Sequence, residues 1–151
     1  MCIRDRYTLG DTGFGFLSNA TFVSTNKPYD PSNLSVSGFA VTGLANSFNL
    51  IPFYDKNGFQ ARLAVNHRAE YLQSFGQIQN NSQYGTEPTF VNAATYLDFS
   101  TSYEINRHFT VYFVANNLTD QVYSTHGRFS EQVLDVVDTG RQFTLGIRAK
   151  L

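Results

Sequence analysis

The stretch FQARLAVNHRAEYL, residues 59–72, sorts its side chains by parity. The odd positions are Phe59, Ala61, Leu63, Val65, His67, Ala69 and Tyr71; the even ones from 60 to 70 are Gln, Arg, Ala, Asn, Arg and Glu. A period of two belongs to a strand whose side chains point alternately to two faces. Residues 59–72 would extend about 46 Å at ~3.3 Å per residue, whereas strands of soluble domains average about 5–6 residues. The constraint is therefore double. The strand is long, and its second face carries Gln60, Arg62, Asn66, Arg68 and Glu70. In a sandwich core those groups would be costly without partners; in a wide barrel they face an interior filled with water or protein.

The alternation recurs. Residues 13–24 put Phe14, Phe16, Ala20 and Phe22 on one parity, and 42–54 do so with Leu44, Phe48, Leu50 and Tyr54. Residues 95–105 alternate Leu97, Phe99, Tyr103 and Ile105 with polar neighbours; 109–117 and GRQFTLGIRAKL at 140–151 complete a set of six expected strands. No 3.6-residue stripe competes, and β-branched and aromatic residues dominate. DKNG (55–58) and NRH (106–108) read as tight turns, the first with an Asn-Gly hairpin signal. The connections at 25–41, 73–93 and 118–139 are long and rich in Asn, Ser, Thr, Gly and Asp. One end of the sheet is trimmed and the other carries large loops, the default of a bacterial outer-membrane barrel. Rings gather at strand ends: Tyr54 and Phe59 flank one turn, Tyr103 and Phe109 the other, with Ala61, Leu63 and Val65 further along the same face. That is the girdle arrangement of a strand crossing lipid. The expected fold class is thus all-β, an antiparallel transmembrane β-barrel portion whose six strands form an open curved sheet.

Composition excludes other classes. The net charge is -1, so no basic field points to nucleic acid. Charged residues are 15% of the 151, well under the usual quarter, and aromatics also reach 15%. Cys2 is the only cysteine, which removes disulfide frameworks and cysteine-based metal sites. No apolar run is long enough for a transmembrane helix, which leaves barrel strands untouched. The opening MCIRDR shows neither a signal-peptide core nor a strand pattern, so residues 1–6 are expected to be a non-native scar and 7–151 the domain.

The order of the motifs resembles a known family. YLDFSTSYEINRHFTVYFVANNLTDQVY followed by GRQFTLGIRAKL is similar to the C-terminal strands of TonB-dependent outer-membrane receptors, and SFNLIPFYDKNGFQARLAVNHRAEYL is similar to their preceding hairpin. The resemblance implies a barrel of about twenty-two strands holding a plug, of which this chain would supply the last six, without plug. It implies energy-coupled uptake of a scarce solute (siderophore, vitamin or oligosaccharide class) across the outer membrane of a Gram-negative bacterium. Its partners would be outer-membrane lipid, the rest of the barrel and plug, a TonB-type energy transducer reached through the missing part, and the barrel-insertion machinery. The ending resembles the insertion signal of such barrels at Thr144, Gly146, Ala149 and Leu151, with Leu in place of a terminal aromatic. Pro52 departs from the pattern, because it removes a ladder donor in an interior strand. The rival readings are another outer-membrane barrel, a passive channel or barrel enzyme, and a soluble β-sandwich that binds carbohydrate.

Two groups of side chains are candidates. Arg62, Arg68, Glu70, Asp98, Glu104, Arg148 and Lys150 share the polar parity and would face the lumen or plug, or pair across strands as a generic wet surface. Tyr29, Asp30, Tyr84, Glu87, His126, Arg128, Phe129 and Glu131 lie in the long connections, where aromatics beside polar groups suit ligand capture. The stretch 126–138 gathers one His, two Asp and one Glu, but it lacks the spacing of a calcium loop. No nucleophile–base constellation suggests catalysis, and neither a cofactor nor a metal is expected.

Overall fold

The computed structural model describes residues 2–26, 29–30, 32, 40–75 and 87–150. Its strands in chain order are β1 (Cys2–Thr8), β2 (Phe14–Thr21), β3 (Ser47–Lys56), β4 (Phe59–Arg68), β5 (Tyr71–Phe75) and β6 (Pro88–Val91). They continue as β7 (Ala94–Glu104), β8 (Phe109–Asn116), β9 (Tyr123–His126), β10 (Val133–Val137) and β11 (Gln142–Ala149). The long strands form one antiparallel sheet in the order β1-β2-β3-β4-β7-β8-β11. The short ones form a second sheet, β10-β9-β6-β5. The fold is all-β and antiparallel, and the large sheet is open, with β1 and β11 as its edges.

Two expectations need correction, and one segment pairs without having shown a pattern: residues 2–6 lie in β1, which pairs with β2 from Cys2↔Thr21 to Thr8↔Gly15. Ile3, Arg4, Asp5 and Arg6 do not alternate apolar with polar residues, and that is why the pattern missed it. The strand expected at 59–72 ends at Arg68, where Ala69 leaves the ladder and donates its N–H to the Asn46 carbonyl at 2.9 Å. The chain then enters the other sheet as β5. The long connections also hold strands of their own, because runs such as VLDVV and PTFV favour extended backbone.

The turns explain the asymmetry of the ends. Asn57 (φ 54°) and Gly58 (φ 73°) are both left-handed, as a two-residue hairpin demands. Asn106 Oδ1 accepts from the backbone N–H groups of His108 (2.9 Å) and Phe109 (3.0 Å), fixing the second tight turn as an Asx type. A single 3₁₀ turn at Gly10–Thr12 joins β1 to β2. All three lie at one end of the sheet; 22–46, 69–93 and 117–141 leave from the other.

Register aligns the faces across the sheet. Phe16, Pro52, Leu63 and Phe99 fall in one row, and Leu50, Val65 and Leu97 in another. Beyond them Phe113 meets Leu145 and Val111 meets Ile147. This face is uncovered: Leu145 is 74% exposed and Ile147 70%. Among the described residues the only buried large-sheet hydrophobe is Ala115; Leu72, Val91 and Pro88 are buried in the small sheet. The accessible surface is 10718 Å², against about 7,700 Å² for a compact monomer of this mass. Pro52 leaves its mark, since the β3–β4 register carries no pairing at Ile51 or Pro52. Two glycines on the polar face seat rings from the next strand, Gly15 under Phe53 and Gly146 under Tyr112.

Candidate functional site

The three long connections converge on one cluster. Tyr29, from the first, lies with its ring 6.0 Å from Phe75 and 5.4 Å, edge-on, from Phe90. The His126 imidazole stacks on Phe90 at 5.2 Å and 10°. β6 and β9 set this geometry by pairing Phe90 with His126 and Val91 with Thr125. Arg128 Nη2 reaches Glu87 Oε1 at 3.5 Å, and its side chain is only 6% exposed. Pro88, Val91, Leu72 and Thr125 are buried in the same small sheet, which makes it the better-packed part of the molecule.

Two polar atoms in the cluster are orphaned. The Tyr29 hydroxyl and His126 Nε2 are buried and have no hydrogen-bond partner among the described residues. His126 Nδ1 lies 2.9 Å from the Gly127 carbonyl, which can only accept, so Nδ1 carries the proton. Nε2 sits 3.4 Å from Glu70 Oε2, within ion-pair range but not aligned as a hydrogen bond. Buried polar atoms without partners are uncommon and mark places where a further group fits.

Burial pushes the Tyr29 phenol above its ordinary value; Arg128 opposes this, and the carboxylates of Glu87 and Asp30 add to it. The fold therefore favours the neutral phenol, and its contribution to stability is intact below the unfolded value, near pH 10. It fades as pH rises through the higher folded value. In an absorbance titration Tyr29 is expected to ionise above the ordinary tyrosine value, and Tyr29→Phe should remove that late step. A titration unchanged by the substitution would disprove the assignment.

The loop candidates divide. Tyr29, Glu87, His126 and Arg128 come together, and Asp30 stands beside Tyr29 with its own carboxylate accepting from Ser32 N and Oγ. Phe129, 60% exposed, and Glu131 sit on a turn closed by Gln132 N–H to the Phe129 carbonyl, outside the cluster. Tyr84 lies outside the described residues. Glu70, expected on the lumen parity, instead lies past the end of β4 and turns toward His126. Sequence reasoning missed Phe75 and Phe90. The alternation of PTFV was too short to betray them.

On the polar face Asp98 accepts from Asn66 Nδ2 (3.4 Å) and from the Asn117 backbone N–H (2.9 Å), while Asn49 donates to Asn19 at 2.6 Å. Arg62 and Arg148 overlook an open depression of about 570 Å³ with Ser100, Ser102 and Tyr112, and neither has an ion-pair partner among the described residues. Arg68 lies 3.7 Å over the Tyr71 ring; Glu104 is exposed beside the 57–58 turn, and Lys150 N–H donates to the His108 carbonyl. Of the residues read as an insertion signal, Thr144 pairs with Val114, Gly146 seats Tyr112 and Ala149 pairs with Phe109; Leu151 lies outside the described residues. No three His, Cys, Asp or Glu residues converge among the described residues.

The motif Asn-Leu-Thr-Asp and the Gly-Arg that opens the last strand, far apart in sequence, meet in space. Asn117 Nδ2 donates to the Gly140 carbonyl at 3.2 Å, and Arg141 approaches Asp120 at 3.6 Å. Asn117 is 7% exposed and held at φ 55°, with Oδ1 accepting from Gln121 N–H at 2.8 Å. No protein-family model, curated protein or solved structure matches the chain.

Proposed function

We propose that the chain is the C-terminal part of a TonB-dependent receptor in the outer membrane of a Gram-negative bacterium, serving uptake of a scarce solute. The observation that carries this reading is the uncovered apolar face, bounded at the trimmed end by a belt of rings. Tyr7 meets Phe16 at 5.7 Å, Phe14 meets Tyr54 at 4.6 Å, and Tyr54 meets Phe59 at 6.0 Å. Phe59 then lies opposite Tyr103. From Phe59 to His67 the face rises about 27 Å along the strand at ~3.4 Å per residue, or roughly 21 Å upright at a tilt of about 40°. An outer-membrane barrel presents an apolar band about 25 Å tall. β3, β4 and β7 have 10, 10 and 11 residues, the length that crosses a bilayer at a tilt.

A sandwich would cover this face with its second sheet. Here strands of the two sheets make no more than passing contact. In the proposed setting lipid covers the apolar face, the polar face with Arg62 and Arg148 looks to plug and lumen, and the Tyr29–Phe90–His126 layer faces outward for ligand capture. The contact between Asn117 and Gly140 adds support, because the two halves of the resemblance act as one structural unit.

Nitroxide labels at positions 63, 65 and 99 of the full-length protein are expected to be shielded from aqueous quenchers and open to lipid-soluble ones. An epitope inserted after the exposed Ser130 should be detected on intact cells, and one inserted at 57–58 should not. Aqueous accessibility of the labels rules out the membrane face; the reverse epitope pattern rules out the orientation.

A further inference from the structure

We propose that His126 and Glu70 form the protein half of a divalent-metal site of the zinc class, joining the segment after β4 to the end of β9. Four observations converge. His126 is 5% exposed, so its Nε2 is withdrawn from water, and no protein atom hydrogen-bonds to it among the described residues. In the neutral imidazole, the Nδ1–H bond to the Gly127 carbonyl at 2.9 Å selects the tautomer with its lone pair on Nε2. A backbone carbonyl in that position is the usual outer support of a metal-bound imidazole. Finally, Glu70 Oε2 stands 3.4 Å from Nε2. Two ligands at about 2.0–2.1 Å from a tetrahedral zinc ion are separated by about 3.3–3.4 Å, the edge of the tetrahedron.

An imidazole nitrogen with a carboxylate oxygen suits zinc, copper or nickel, while calcium and magnesium ask for oxygen alone. Two protein donors leave the remaining positions to water or to a donor carried by an incoming ligand. Binding has a mechanical consequence. Glu70 belongs to the second long connection and His126 to the third, so an ion bound to both cross-links the outer loops and stabilises their joined arrangement by mass action.

The alternative is a plain ion pair between a protonated imidazole and the carboxylate, which responds to pH and not to metal. The whole chain, folded in detergent, separates the two. Zn²⁺ titrated by calorimetry is expected to bind one site, and Cu²⁺ should show nitrogen coupling from one imidazole by electron paramagnetic resonance. Glu70 is half exposed, so Glu70→Gln should keep the fold and weaken Zn²⁺ by about tenfold or more, at least the loss typical of an outer partner. His126→Gln should abolish the nitrogen coupling, and His67→Gln and His108→Gln should leave it. The proposal is overturned by an absence of Zn²⁺ binding, by equal affinity in Glu70→Gln, or by coupling that survives His126→Gln. The readout involves neither membrane topology nor uptake, so this proposal and the receptor reading can fail separately.

Discussion

If the proposed membrane reading holds, replacing Leu63 with Arg is expected to destabilise the protein in a bilayer by about 2–4 kcal/mol, the cost of a cation at the lipid face of a barrel near the midplane. Leu63 lies midway along β4 between the ring of Phe59 and that of His67, and it pairs with Phe99 on β7. A guanidinium there is too far from either interface to reach it without cost. The neighbouring Arg62 supplies the control. It already carries the same group one residue away, on the opposite face, beside Ser100 and Tyr112. Arg62→Leu is expected to change stability by under about 1 kcal/mol, as surface substitutions do. Equilibrium unfolding by urea from lipid vesicles reads both. If the apolar face meets water, Leu63→Arg falls within roughly 0.5 kcal/mol of the wild type, and the lipid-facing reading is lost.

The large sheet was legible because parity is a local property. Counting by twos along 59–68, 95–104 or 142–149 needs no knowledge of any distant residue, and the register then carries the faces across strands. The limits of that rule are equally physical. Parity holds only inside a ladder, so extending it two residues past Arg68 placed Glu70 on the wrong surface. Strands of four or five residues, such as β6 and β10, are too short to display a period. β1 was hidden because Ile3, Arg4, Asp5 and Arg6 do not alternate apolar with polar residues. The loop cluster demanded still more. Pairing between β5, β6 and β9 brings Glu70, Phe90 and His126 together, Tyr29 packs on Phe90 from a separate connection, and nothing in any one segment announces its partner. Choosing aromatics beside polar groups named four residues that meet there and also Phe129 and Glu131, which stay on an exposed turn. Residue type was informative about chemistry and silent about proximity.

Gly15 shows the same division and makes the second large prediction. In the sequence it is half of a GFG repeat inside a strand, where glycine ordinarily weakens pairing. The register gives it a purpose: Gly15 lies opposite Phe53 on β3 and Thr8 on β1. A Cβ built on it would stand 2.5 Å from Phe53 Cζ and 2.7 Å from the Tyr7 carbonyl oxygen. Gly15→Ala is therefore expected to cost about 1–3 kcal/mol, the usual range for forced overpacking. Gly146→Ala should cost less, because there the obstacles are atoms of the Tyr112 ring, which can swing aside, and not backbone. Two further variants identify the source of the strain. Phe53→Leu should rescue Gly15→Ala only in part, since the carbonyl of Tyr7 remains. Deleting residues 1–8 should relieve the rest, because that carbonyl approaches only while β1 is paired with β2. Thermal unfolding in detergent measures each step. A Gly15→Ala variant as stable as the wild type would mean that Phe53 does not lie over this position, and a penalty untouched by the deletion would mean that β1 does not occupy the edge.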